Sequence, residues 1–184
     1  MQDISLHILD IVQNSIVANA TLIIITIKED IKTDKLIVSV EDNGMGMDKE
    51  TINRVIDPFY TTRTTRRVGL GIPLLKAAAE LSGGCLNIYS EKGKGTAIMA
   101  VFGLSNIDRP PLGDMEDTVA TLILCNPYID FIYRHSTPGG QFELDTRAVK
   151  QQLGEVPICN SQVIDWIREY IKEGINQIGG GAIV

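Results

Sequence analysis

An α+β fold is the class this sequence predicts: a two-layer α/β sandwich with a mixed, mostly antiparallel sheet, helices on one face, and a small C-terminal α/β extension. Three observations lead there. An amphipathic helical period opens the chain, two alternating apolar runs follow it, and helix-like stretches then precede another strand pair. Residues 4 to 18 set Ile4, Ile8, Ile11, Val12 and Ser15 on one helical stripe, and the helix stops near "NAT". Asn19 suits a left-handed closing position, because its short amide tolerates positive φ. The runs "TLIIITIKE" and "KLIVSVED", parted by the polar "DIKTD", read as a hairpin. Next, "MDKETINRVID" reads as a short helix and "PFYTTRTTRRVG" as a long polar loop. "LGIPLLKAAAELSGG" is a helix ended by glycine, and "CLNIYSEKGKGTAIMAVFG" holds two more strands.

Prolines and acids in "SNIDRPPLGDME" mark a boundary, which divides the chain into residues 1–104, a linker at 105–116, and an extension at 117–184. In the extension, "TVATLILC" and "IDFIYRH" straddle an Asn-Pro turn, "GGQFELD" starts a strand after "TPGG", and helices are expected over about 147–153 and 161–175. The tail "GGGAIV" is expected to be loose or to pack through its last residues. "YRHSTPGGQ" reads as a hairpin corner, and Trp166 as a core or interface aromatic.

With 184 residues, 44% hydrophobic and 22% charged, the chain can bury roughly 70% of its unfolded surface and build a real core. Cys85, Cys125 and Cys159 are widely spaced and show no CxxC motif, and only two histidines are available, which argues against a metal site and for reduced thiols in a cytoplasmic protein. "MQDISLHILD" lacks the pattern of a signal peptide, and no apolar run reaches the ~20 residues of a membrane span. A formal charge of -6 opposes wholesale nucleic-acid binding. Against that acidic background, "TTRTTRR" is a local cationic patch suited to a small polyanion.

"EDNGMGM", residues 41–47, leaves its strand through an acid, two glycines and two methionines. Asp10 and Asn14 lie four residues apart on one helical face, and His7 stands a turn before Asp10. Together with "LDIVQNSIVANAT", "DPFYTT", "RVGLGI" and "GKGT", these stretches follow the order and approximate spacing of the GHKL superfamily of gyrase, heat-shock chaperone, histidine kinase and mismatch-repair ATPases. The sequence resembles that superfamily over residues 4 to about 103 and, within it, the histidine-kinase-like ATPase domain.

The resemblance implies a Bergerat-type ATP-binding fold with ATP and Mg²⁺ as ligands. Adenine offers an exocyclic amine that a carboxylate can read, and by resemblance Asp42 is that carboxylate. Gly44 and Gly46 then form the pocket wall, Met47 packs on the base, and Thr96 helps hold a water between Asp42 and the ring. Mg²⁺ prefers oxygen ligands and reaches a nucleotide through few protein groups, and Asn14 matches the metal-ligating asparagine. Gly69, Leu70 and Gly71 enter a helix whose free N–H groups would receive phosphate. Arg63, Arg66 and Arg67 belong to the lid segment, and at least one of the three is expected to reach the terminal phosphate, with Arg66 the candidate named.

Two departures stand out. Arg67 occupies the place of a lid glycine frequent in histidine kinases, so a stiffer lid is expected. Asp10 stands where gyrase-type and repair ATPases carry Glu, one carbon (about 1.5 Å) longer. Asp10 is the candidate general base, with His7, expected to be exposed, able to orient it. No helical hairpin with a phosphoacceptor histidine is expected before the first helix. The implied function is therefore a histidine-kinase-like ATPase or kinase domain that acts on or regulates a partner protein. Its alternatives are an ATPase whose nucleotide state switches conformation or assembly, and a non-catalytic nucleotide sensor. The implied partners are ATP, a protein partner or substrate, and a second copy in a homodimer; neither nucleic acid nor membrane is expected.

Overall fold

The computed structural model describes residues 3–56 and 70–180. In chain order the elements are α1 (Ile4–Val17), β1 (Leu22–Asp30), β2 (Lys35–Asp42), α2 (Lys49–Val55), α3 (Gly71–Leu81), β3 (Cys85–Glu91), β4 (Gly95–Gly103), α4 (Met115–Cys125), β5 (Asp130–Thr137), β6 (Gly140–Asp145), α5 (Thr146–Leu153) and α6 (Ser161–Gln177). The strands form one six-stranded sheet in the order β3-β4-β2-β1-β5-β6. Every neighbouring pair is antiparallel except β1 and β5, which run parallel. The expected α+β architecture with a mixed, mostly antiparallel sheet is therefore the one observed.

Strand alternation explains the layering. Reading across the sheet in register, Leu144, Tyr133, Ile25, Val40, Ile98 and Ile88 face one side, and the first five are buried. The helices close that face. Ile4, Ile8, Ile11 and Val12 of α1, Leu75 and Ala79 of α3, and the Ile164–Ile167–Ile171–Ile175 stripe of α6 belong to the same apolar cluster. Each fully buried isoleucine stabilises the fold by about 1.5–3 kcal/mol. α5 packs on β5 from the other direction: Ile132, which alternates with Phe131 and Tyr133, is buried too, and Lys150 of α5 bonds Asp130 at 2.7 Å.

The segment 105–116 runs from β4 back to the start of α1. No side chain caps α1; its first amides instead donate to the linker, Ile4 N to Pro111 O and Ser5 N to Leu112 O, both at 2.9 Å. The apolar run before the Asn-Pro turn is helix, α4, because Asp114 accepts from Asp117 N at 2.7 Å and starts it. The extension is built onto the same sheet and shares the same apolar cluster, through β5 beside β1 and through α4 and α6. Asn19 takes φ 58, as its side chain suggested. The last residues of the tail, 181–184, and the "PFYTTRTTRRVG" stretch up to Gly69 lie outside the described residues.

Candidate functional site

At the end of β2 three of the sequence motifs meet among the described residues: the first helix, "EDNGMGM" and "GKGT". Asp42 is half-buried, and each of its carboxylate oxygens already accepts one hydrogen bond: Oδ2 from the Ser15 hydroxyl at 2.6 Å and Oδ1 from Gly44 N at 2.8 Å. Both oxygens keep lone pairs for a further donor. Asn43 staples the loop to β1, accepting from Thr21 N at 2.8 Å and Leu22 N at 2.9 Å. Met45 N donates to Ala18 O at 2.9 Å, so the C-terminus of α1 holds the loop as well.

The glycines there are demanded by close backbone approach. A Cβ on Gly44 would sit 2.7 Å from Ala18 O. Gly46 takes φ 63, and a Cβ on it would overlap the Glu91 carbonyl oxygen of the β3–β4 hairpin. Gly46 thus lets the hairpin seat against the loop. Ser90 completes the joint: its hydroxyl accepts from Met47 N at 2.8 Å, donates to Gly95 O at 2.9 Å, and lies 2.8 Å from the Thr96 hydroxyl. Thr96 stands opposite Asp42 in the ladder. Asp42, Thr96, Ser90, Ile52 and Ile88 line a cleft of about 550 Å³, a size that admits a nucleotide base and sugar.

On α1, Asp10 and Asn14 are both exposed and share a face, about 6 Å apart along the axis. Gly71 opens α3 beside Asp10, where a Cβ would lie 2.9 Å from Asp10 Cβ. No side chain caps α3; Leu70, half-buried, is its N-cap residue, and its first turn carries no acid. Pro73 has no amide proton and Leu74 N bonds Leu70 O, so the amides of Gly71 and Ile72 are the donors this helix start presents. The dipole there favours negative charge. Gly69, Arg66, Arg63 and Arg67 fall outside the described residues.

His7 corrects an expectation. It is buried rather than exposed, at 3% of its surface, and Nδ1 is the one buried side-chain polar atom without a partner among the described residues. Burial lowers its pKa, and the charge of Asp10 opposes the shift. The apolar stripe of α1 is wide enough to take in position 7, between Ile4 and Ile8. Sequence reasoning also missed Ser15 and Ser90 as site residues. Ser15 reads as core because it sits on that stripe, whereas "SEKGKGT" did hold a signal for Ser90, a hydroxyl flanking the hairpin that carries Thr96.

This geometry is that of a single sheet whose strand ends, with α2, line a nucleotide-sized cleft, while the exposed face of α1 carrying Asp10 lies against the start of α3. A family model described as "Histidine kinase-, DNA gyrase B-, and HSP90-like ATPase" matches residues 2–106, and the chain belongs to that family. Among relatives, a protein of Shewanella frigidimarina (strain NCIMB 400) named as a sensor protein is 35% identical over 103 residues, covering 55% of this chain and 16% of that protein. Sporulation kinase C of Bacillus subtilis (strain 168) is 32% identical over 98 residues, 53% of this chain and 23% of the kinase. The chain thus spans less than a quarter of either relative. A crystal structure of the N-terminal domain of a DNA repair protein shares the fold, with TM-score 0.55 and 18% identity over 79% of this chain and 52% of that one.

Proposed function

We propose that the chain binds ATP with Mg²⁺ at this end of the sheet and works as a histidine-kinase-like ATPase or kinase domain, acting on or regulating a partner protein in cytoplasmic signal transduction. The observation that carries the reading is the Asp42 carboxylate, held by two donors at the lip of the cleft with acceptor capacity left for an exocyclic amine. Met47 and Thr96 flank it, and Gly44 and Gly46 let the loop come close enough to form the recess.

The residues on α1 suit the opposite end of a nucleotide. Among the described residues no three His, Cys, Asp or Glu side chains cluster to hold an ion by themselves, so Asn14 would serve as one oxygen ligand beside phosphates and water. Mg²⁺, when bound, would supply positive charge between the phosphate oxygens. The amides of Gly71 and Ile72 would donate to phosphate, with Gly69 and Arg66 in the adjoining segment contributing further donors. Asp10, exposed beside Gly71, would accept the proton of an attacking hydroxyl or water, a contribution of roughly 10²–10⁴-fold where its reach is right.

A second reading, an ATPase whose nucleotide state changes shape or assembly, draws on one observation: β5 of the extension pairs directly with β1, whose first residues are tied to the Asp42 loop through Asn43. ATP labelled on the γ-phosphate separates the two. Transfer of the label to an added partner protein selects the first; release of free phosphate with no transfer to a partner selects the second, and no bound nucleotide sinks both.

A further inference from the structure

We propose that Ser15 is a positioning residue that fixes the facing of the Asp42 carboxylate and so sets the discrimination of a 6-amino purine from a 6-keto one. The proposal rests on the ATP-binding reading above. A serine in the middle of a helix ordinarily donates to the carbonyl one turn back. The Ser15 hydroxyl instead donates to Asp42 Oδ2 at 2.6 Å, across 27 residues of chain. It does so from a position only 3% exposed, one turn after the buried Ile11. Alanine would pack there and favour the helix more, while a buried hydroxyl must find a partner to offset its desolvation. The partner it finds is Asp42, at the strand end that lines the cleft.

The consequence is geometric. A carboxylate turns about its Cβ–Cγ bond in a broad well. The Gly44 amide alone, on Oδ1, would leave Asp42 hinged; a second donor on the other oxygen fixes the plane. Because the single Ser15 proton is committed to Asp42, neither group has a donor to offer toward the cleft. The pair presents acceptors only, so an amine is received and a keto oxygen meets lone pairs. Ser15 also follows Asn14 directly on α1, which ties the setting of this carboxylate to the helix face carrying Asn14 and Asp10.

The test is equilibrium affinity, with Mg²⁺, for ATP and for inosine triphosphate, which carries a keto oxygen in place of the amine. Wild type, Ser15→Ala, Ser15→Cys and Asp42→Asn are compared. Wild type should prefer ATP by about 100-fold or more. Ser15→Ala should lose about 10-fold of that preference through weaker ATP binding, with inosine triphosphate held within about 2-fold. Ser15→Cys keeps the side-chain size and gives up the strong donor, so it should show the same loss even if the alanine variant fails to fold. Equal weakening of both nucleotides, or an intact preference in the serine variants, overturns the positioning role. A wild type that binds no ATP, or an Asp42→Asn variant that binds like wild type, overturns the underlying reading along with it.

Discussion

At opposite ends of the β1–β2 pair a carboxylate meets a hydrogen-bonding chain, and the two surroundings differ. Glu29, on β1, is 5% exposed; its Oε1 lies 2.8 Å from Nε2 of the fully buried His135 on β5, whose Nδ1 lies 2.8 Å from the Tyr133 hydroxyl. Burial, with the charges of Glu116 and Glu29, pushes the Tyr133 pKa far up, so its phenol keeps its proton. Asp42 is half-buried, opens onto a cleft, and keeps spare lone pairs. The same chemistry locks a strand seam where it is closed off, and can read a ligand where one side stays open.

That contrast can be broken from either end. The largest effect is expected for Glu29→Ala, which strands the buried His135 ring nitrogen: unfolding in urea should show a loss of about 3–5 kcal/mol, with ATP affinity of the folded protein unchanged. Gly46→Ala should damage the open end without touching a carboxylate. With φ 63 and the Glu91 carbonyl in the way, stability should fall by about 2 kcal/mol or more and ATP affinity should fall with it.

His7 yields a smaller, pH-dependent effect. Its folded pKa lies below the ordinary 6.5, so as pH falls the unfolded chain takes up the proton first. The stability this gives is fully present above about pH 6.5 and declines below it. Replacing His7 with Leu should flatten the fall in melting temperature between about pH 6.5 and pH 5; an unchanged slope would show that the imidazole does not titrate as its burial requires. The smallest change is expected from Lys94→Ala at the rim of the cleft. Its 2.8 Å pair with Glu91 is exposed on both sides, and stability should stay within about 0.5 kcal/mol.

How much of this was legible depended on the range of the interaction. The α1 stripe, the Asn19 turn, the β1–β2 hairpin and the motif order are local patterns, and each can be read from a few adjacent residues. The parallel pairing of β5 with β1 joins residues more than a hundred positions apart, and nothing in "IDFIYRH" names its neighbour. The α4 helix was obscured because its capping Asp114 lies inside the proline-rich linker. The burial of Ser15 was read correctly, but its role and the burial of His7 were not, for a shared reason: periodicity tells which face a residue takes, and the chemistry of a polar residue on the buried face is decided by what packs there.

If the open end of the sheet receives ATP, as proposed, it does so through Asp42. Calorimetric titration of ATP with Mg²⁺ into the wild type and Asp42→Asn tests it most directly. Saturable binding by the wild type, a loss of about 100-fold in the variant, and matching thermal unfolding within about 1 kcal/mol are expected. Equal binding by both proteins, or by neither, would contradict it and leave residues 41–47 a turn.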